Sequence, residues 1–177
     1  MTHPGQLLKE NGLYAGKELG QNFLSNPATA EMIVEKTGID ETSHVLEIGP
    51  GLGALTVHIA RRTRNLTVVE KDRRLVPVLE KELAGRDMTH VQIINQDVLR
   101  QDIPAIAGDH PLVVIGNLPY NISSQILFKL VKDRRQVKRA FLMFQKELAE
   151  RISASPGGKS WSRLAAVVQY AAKVSTV

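Results

Sequence analysis

The chain has 177 residues, 43% of them apolar, which suits one ordinary domain with a single hydrophobic core. It contains no cysteine, and its five histidines are scattered, so disulfides and thiolate metal sites are excluded and no metal ion is expected. The net charge of +5 weakly favours a polyanionic partner.

Membrane insertion and secretion find no support in the sequence. No apolar run approaches the roughly 18 residues of a membrane span. The N-terminus, MTHPGQLLKENG, lacks the apolar core of a signal peptide. We therefore expect a cytoplasmic protein that does not associate with membranes.

The chain divides into an N-terminal arm, residues 1–25, and one domain, residues 26–177. The arm is glycine-rich and only weakly periodic. Helical periodicity begins after Asn26, a good capping residue, with Pro27 at the first helical position. Further helices are predicted at 52–62, 74–84, 124–132, 146–154 and 160–173. Strands are predicted at 44–49, 66–72, 91–97, 111–117 and 139–144.

Strands that alternate with helices at this spacing predict an α/β fold with a parallel sheet and helices on both faces. Ligands of such sheets bind outside the carboxyl ends of the strands. Four of the predicted strands end in polar or glycine-rich sequence: EIGPGLG, EKD, NQD and GNLPYN. We expect the functional site at these ends.

The first strand end carries Glu47 and a G-x-G-x-G loop formed by Gly49, Gly51 and Gly53. Glycines permit positive φ and a close approach of the backbone to a ligand. The spacing is not the G-x-G-x-x-G of a dinucleotide site, and a carboxylate is a poor neighbour for phosphate. The loop therefore favours a cationic ligand over a pyrophosphate, although a plain strand-to-helix turn would look similar.

The next two strand ends each carry an acid. Glu70 follows the loop by about 20 residues, the position of a ribose-binding acid. A surface carboxylate paired with Lys71 or Arg73 is the alternative. Asp97 can accept a hydrogen bond from the exocyclic amine of adenine. The alternative is an aspartate that only caps a helix or stabilises a turn. Together these features describe a nucleoside without phosphate, and S-adenosylmethionine is the predicted cofactor.

The fourth strand end, Asn117-Leu118-Pro119-Tyr120, suits a planar amine as methyl acceptor. The Asn117 oxygen and a backbone carbonyl near Pro119 would accept the two amine hydrogens and stabilise the positive charge that develops on nitrogen. Tyr120 offers a face on which an extruded base stacks. An Asn-Pro turn that simply ends a strand is the alternative.

These motifs together resemble the KsgA-type ribosomal RNA adenine N6,N6-dimethyltransferases, over residues 20 to about 172. The motifs that carry the resemblance are GQNFL (20–24), VLEIGPGLGALT (45–56), VEKD (69–72), QDVL (96–99) and GNLPYNISS (116–124). The related Erm enzymes, which methylate large-subunit RNA, more often have isoleucine where this chain has Leu118. Because one residue makes this distinction, both targets stay open.

The resemblance implies a Rossmann-like class I methyltransferase sheet of seven strands, the last antiparallel. It implies two methylations at N6 of each of two adjacent adenines in a small-subunit rRNA hairpin loop. Asn117, Pro119 and Tyr120 become the catalytic stretch. The cofactor contacts that it implies are Gln21, Asn22, Leu24, Gly49, Glu70, Asp97 and Asn117, and Gln21 and Phe23 belong to an arm that closes over the cofactor.

The chain also departs from the family pattern, because it stops at Val177, in the expected sixth strand. The last strand and the helical C-terminal domain of the family are not in this sequence. We therefore expect a monomeric catalytic domain that binds S-adenosylmethionine but methylates RNA weakly or not at all. Lys17, Lys159 and Arg163 are the expected contacts to RNA phosphates.

Two other functions compete with RNA methylation. An NAD-dependent oxidoreductase is opposed by the glycine spacing and by NLPY. A non-catalytic RNA-binding factor for ribosome assembly, built on a methyltransferase scaffold, is opposed only by the intact set of motifs.

Overall fold

Five parallel strands form the sheet of the computed structural model, which describes residues 4–14 and 23–176. Their order is β3-β2-β1-β4-β5, and all four pairings are parallel. The strands are β1 (Val45–Ile48), β2 (Leu66–Glu70), β3 (Gln92–Asn95), β4 (Leu112–Asn117) and β5 (Val137–Met143). The chain order reverses between β1 and β4, where such sheets open a crevice. The predicted parallel α/β fold is confirmed.

The helices in the described ranges cover both faces of the sheet. They are α1 (Pro4–Glu10), α2 (Pro27–Thr37), α3 (Thr56–Ala60), α4 (Val76–Ala84), α5 (Ile103–Ala107), α6 (Ser123–Lys132), α7 (Lys146–Ser153) and α8 (Arg163–Ala171). Helix α2 begins as predicted: the Asn26 side chain accepts hydrogen bonds from the N–H groups of Ala28 and Thr29, and a proline follows it.

The hydrophobic core lies in two layers, one on each face of the sheet. Val45 and Val68 pack with residues of α2, α3 and α4 on one face. Leu46 and Val69 pack with residues of α5 and α6 on the other. Successive strand residues point to opposite faces, so a strand covered on both sides is apolar throughout. The buried apolar run Leu112–Ile115 of β4 shows this pattern.

Helix α3 starts later than predicted. The sequence pattern predicted a helix from Leu52, but residues 51–55 form turns and the helix begins at Thr56. Gly51 and Gly53 have φ values of +57° and +85°, which an α-helix excludes. The loop after β1 is therefore longer and more open than the sequence indicated.

Two short helices were not predicted. Helix α1 lies in the arm, and its Leu7 and Leu8 are buried against Leu52 and Leu75. Helix α5 has only five residues, IPAIA, which is too short for a periodic pattern to show.

The C-terminal end shows no sixth strand within the described residues. Residues 174–176, where the sequence predicted its start, have no regular secondary structure, and β5 forms one edge of the sheet described here. No helix in the ranges 4–14 and 23–176 is long and apolar enough to cross a membrane.

Candidate active site at the carboxyl edge of the sheet

A cavity opens at the carboxyl edge of the sheet, beside the switch point between β1 and β4. The ends of β1, β2 and β4 and the loop after β3 supply its walls. The predicted site residues that line it are Leu24, Glu47, Gly49, Gly51, Glu70, Asp97, Asn117 and Pro119. Three separate strand ends thus supply carboxyl or amide groups to one cavity.

Of the other four predicted site residues, two lie outside the described residues and two do not line the cavity. Gln21 and Asn22 lie outside the described residues. Gly53 packs against helix α4, where an added Cβ would be 2.8 Å from Leu79 Cδ1. Tyr120 is 55% exposed and lies at the surface next to the cavity wall formed by Pro119 and Asn121.

The loop after β1 follows the conformation that its glycines predicted. Gly49 and Gly51 have φ values of +68° and +57°, which strongly favour glycine. A Cβ at Gly51 would lie 3.0 Å from Cε1 of Phe23. Phe23, just after the undescribed part of the arm, therefore packs directly on the backbone of this loop.

Glu70 is buried at the end of β2 and holds the loops around it together. Its Oε2 accepts the Gly51 N–H at 3.0 Å, and its Oε1 accepts the Asp72 N–H at 2.7 Å. Burial raises the pKa of Glu70, while these two backbone donors oppose the shift. The alternative of a surface carboxylate paired with Lys71 does not hold, because Glu70 is 6% exposed and Lys71 pairs elsewhere.

Glu47 is the most deeply buried acid of the cavity, at 1% exposure. Burial raises its pKa to about 8; the nearby Thr56 hydroxyl lowers it, and the charge of Glu70 adds to the rise. Neither Glu47 Oε2 nor Thr56 Oγ1 has a hydrogen-bond partner among the described residues. A buried polar atom left unpaired is costly, so it points to a ligand group at this position.

Asp97 follows β3 and is paired on both oxygens. Oδ1 accepts the Leu99 N–H at 3.0 Å, and Oδ2 lies 2.9 Å from the Lys71 ammonium. Burial alone would raise the pKa of Asp97, but the Lys71 ammonium and the Leu99 N–H outweigh it and hold the pKa below its usual value. The sequence pointed to Lys71 only as a partner for Glu70, because adjacency along the chain does not show which acid a side chain reaches.

Asn117 is the last residue of β4 and faces the cavity from the opposite side of the switch point. Its backbone is paired with Met143 in β5, and the next N–H, that of Leu118, donates to the Met143 carbonyl at 3.2 Å. Pairing with β5 therefore holds the backbone on both sides of the Asn117 side chain, up to the start of the turn.

The turn after Asn117 closes through the carbonyl of Pro119. This oxygen accepts the Ser123 hydroxyl at 2.7 Å and the Ile122 N–H at 3.4 Å. A carbonyl oxygen has two lone pairs, so that of Pro119 is fully used within the turn. No signal in the sequence marks Ser123 as a site residue, since a serine near a helix start usually only caps the helix.

The cavity combines three buried or half-buried acids with the amides of Gln96, Asn117 and Asn121, and Lys71 is the one cation among its described lining residues. Because that cation is paired with Asp97, the walls suit a ligand with cationic and hydroxyl groups better than a phosphate. In the described part of the chain, no three metal-binding side chains come together.

The comparisons with known proteins agree with this geometry. The model of the family "Ribosomal RNA adenine dimethylase" matches residues 13–177. A protein of Desulforapulum autotrophicum named "Ribosomal RNA small subunit methyltransferase A" is 56% identical over the whole chain, which covers 62% of that protein. One of the same name from Bacillus licheniformis is 37% identical over 97% of the chain and 60% of its own length.

Solved structures give the same assignment of fold. A dimethyladenosine transferase from Plasmodium falciparum matches with a TM-score of 0.74 and 32% identity, over 84% of this chain and 52% of that one. The 23S rRNA methyltransferase ErmE matches with a TM-score of 0.69 and 32% identity, over 81% of this chain and 55% of that one. The chain thus spans about three fifths of the curated relatives, and its fold is that of the class I methyltransferases.

Proposed function

Because the chain belongs to the ribosomal RNA adenine dimethylase family, we propose that it transfers methyl groups from S-adenosylmethionine to N6 of two adjacent adenines in a hairpin loop of small-subunit ribosomal RNA. One observation carries the proposal: Glu47, whose Oε2 has no hydrogen-bond partner among the described residues, and the Asn117 amide, from neighbouring strands, line the same cavity.

The described residues fit S-adenosylmethionine as the cofactor. The unpaired Oε2 of Glu47 suits a cationic amino group. Each Glu70 oxygen accepts one backbone N–H and keeps a further lone pair for a ribose hydroxyl. Asp97 is held ionised, as an acceptor for the adenine amine. When bound, this cofactor supplies a methyl group on a positively charged sulfur.

The turn after β4 prepares the target amine. The Asn117 side-chain oxygen accepts one N6 hydrogen, which localises the nitrogen lone pair and stabilises its developing positive charge. Because the Pro119 carbonyl is used by Ser123 and Ile122, the neighbouring Leu118 carbonyl is the backbone acceptor that we propose for the second hydrogen. Tyr120, exposed beside this turn, offers its ring for stacking with the extruded base.

The arm covers the cofactor in this proposal. Phe23 already lies against the Gly51 backbone, and Phe23, Leu24 and Pro4 line the cavity. Gln21 and Asn22 precede Phe23 and would add polar contacts from the same segment. The arm is then part of the binding site rather than a separate tail.

The choice of RNA is argued from the relatives. The 56% identical relative is named for the small subunit, whereas the similarity to ErmE is 32%. Small-subunit RNA is therefore the proposed substrate, and the reaction takes place in the cytoplasm. The protein acts as a monomer, and cations such as Lys159 and Arg163 contact the RNA phosphates. Large-subunit RNA is the second candidate, supported by the TM-score of 0.69 to ErmE.

A paired titration and transfer assay tests the proposal. S-adenosylmethionine should bind the chain, and NAD should not. Asn117→Ala should retain RNA binding and slow methyl transfer by about 100- to 1,000-fold, the usual cost of removing one such acceptor. Asn65→Ala, an exposed asparagine at the amino end of β2, serves as the matched control and should transfer normally.

The outcomes separate the competing functions. Binding of NAD in place of S-adenosylmethionine would identify an oxidoreductase. Weak transfer is expected of this chain, so the assay is run as a single turnover with the chain in excess over RNA. RNA binding by the wild-type chain with no methyl transfer under these conditions would favour a non-catalytic assembly factor. Equal transfer by Asn117→Ala and the wild type would overturn the role of the turn after β4.

A further inference from the structure

A buried hydroxyl group controls the backbone of the turn after β4. Ser123 is 1% exposed, and its Oγ donates to the Pro119 carbonyl oxygen 2.7 Å away. The Ile122 N–H reaches the same oxygen at 3.4 Å. The hydroxyl bond is the shorter of the two, so it contributes most to fixing the direction of this carbonyl.

The hydroxyl of Ser123 is not used to cap the following helix. A serine at a helix start usually accepts a hydrogen bond from a backbone N–H of the first turn. Here the N-cap residue is Ile122, which has no polar side-chain atom, and Ser123 donates backwards to a residue four positions earlier. Its hydrogen bond therefore acts on the turn that precedes α6.

Two fixed points enclose the proposed acceptor carbonyl. On one side, the Leu118 N–H donates to the Met143 carbonyl of β5. On the other, the Pro119 carbonyl is held by Ser123, and the proline ring restricts the φ angle between them. The Leu118 carbonyl lies between these points. The Pro119 carbonyl that Ser123 holds belongs to the peptide group that joins Pro119 to Tyr120, so the same hydrogen bond also fixes the backbone of Tyr120.

We propose that Ser123 is a positioning residue for methyl transfer: its hydroxyl fixes the Pro119–Tyr120 peptide group, and through it the Leu118 carbonyl and the Tyr120 ring that receive the target base. This inference rests on the proposed function. It assigns Ser123 no contact with the cofactor, so cofactor affinity should not depend on it.

The test compares Ser123→Ala and Ser123→Thr with two controls. Ser124→Ala removes the exposed neighbouring hydroxyl. Thr37→Val removes another buried hydroxyl bond, from Thr37 Oγ1 to the Val34 carbonyl at 2.6 Å, outside the cavity. Single-turnover transfer of a tritium-labelled methyl group to small-subunit RNA gives the rate, and calorimetry gives the dissociation constant of S-adenosylmethionine.

Ser123→Ala should slow transfer by about 10- to 100-fold, the range expected when reacting groups are misplaced by a fraction of an ångström to an ångström. The dissociation constant of S-adenosylmethionine should change by less than about twofold, since binding does not use this group. Ser123→Thr should restore most of the rate, and both controls should transfer as the wild type does.

A second readout does not depend on activity. With 3-fluorotyrosine in place of the three tyrosines, the fluorine resonance of Tyr120, assigned by Tyr120→Phe, should shift or broaden in Ser123→Ala. The resonances of Tyr14 and Tyr170 should stay unchanged.

Three results would overturn the assignment: a wild-type rate in Ser123→Ala, an equal loss in Thr37→Val, or an unaltered Tyr120 resonance. A wild-type chain that transfers no methyl group would instead overturn the proposed function, and the fluorine spectra would then report separately whether the hydroxyl fixes the turn.

Discussion

A buried carboxyl in one half of the cavity and the backbone turn in the other half satisfy their polar groups in opposite ways. In the cofactor half, formed by the ends of β1 and β2, Glu47 is buried with one oxygen unpaired. In the transfer half, formed by residues 117–123 after β4, the Pro119 carbonyl has two donors and the Leu118 N–H is paired with β5. One half is incomplete without a ligand, whereas the other is already arranged, as expected of a site that binds a cofactor and then orients a substrate.

The largest expected effect is on the free energy of unfolding, and it tests whether burying Glu47 destabilises the cofactor half. Its pKa is raised to about 8, from an ordinary value of 4.5, so the folded chain binds a proton that the unfolded chain has released between these values. Stability without cofactor should therefore fall as pH rises from about 4.5 to 8, by on the order of 4 kcal/mol. Glu47→Gln carries no ionisable group at this position, so its stability should not show this fall between pH 4.5 and 8.

Chemical denaturation at a series of pH values measures this difference. The wild type and Glu47→Gln should have similar stability near pH 4.5, and the variant should be the more stable at pH 8. Parallel curves for the two proteins would show that Glu47 ionises normally in the fold, and the contrast between the halves would then disappear.

The second effect is a loss of about 1–3 kcal/mol in the free energy of unfolding, and it tests the glycine loop of the cofactor half. Gly53→Ala combines strain at a φ of +85° with a Cβ 2.8 Å from Leu79 Cδ1. Gly157→Ala is the matched control, because its φ is +80° but nothing lies within 4 Å of its added Cβ. Melting temperatures should fall for both and further for Gly53→Ala; equal losses would mean that Leu79 adjusts freely.

The smallest effect concerns Tyr120 in the transfer half. Tyr120→Ala should raise KM for RNA by about 10-fold, since stacking of one base contributes roughly 1–3 kcal/mol. Tyr120→Phe keeps the ring and should behave as the wild type. Titration with S-adenosylmethionine should not distinguish the three proteins, and a weakened cofactor affinity in Tyr120→Ala would show that the two halves are not separate.

Much of this site follows from the sequence because parallel strands bring their carboxyl ends to one edge. The pattern of strands was enough to place Glu47, Glu70, Asp97 and Asn117 together. It also indicated that a carboxylate beside the glycine loop suits a cationic ligand, which agrees with the unpaired oxygen of Glu47.

The remainder depends on distances that no local pattern contains. The pairing of Lys71 with Asp97 joins residues 26 positions apart, and the late start of α3 depends on the φ angles of Gly51 and Gly53. The bond from Ser123 to Pro119 spans a turn whose geometry is set by pairing with β5. These features follow from the packed fold, so they appear only in the structure.

The most direct test of the account identifies the atom that receives the methyl group. Small-subunit RNA lacking this modification is incubated with the chain and S-adenosylmethionine, digested to nucleosides and examined by mass spectrometry. We expect N6-methyl- and N6,N6-dimethyladenosine, both strongly reduced after the same incubation when Asn117→Ala replaces the wild type. Methylation at a ring nitrogen, at a ribose oxygen or on another base would contradict it, because the acceptors after β4 are arranged for an exocyclic amine.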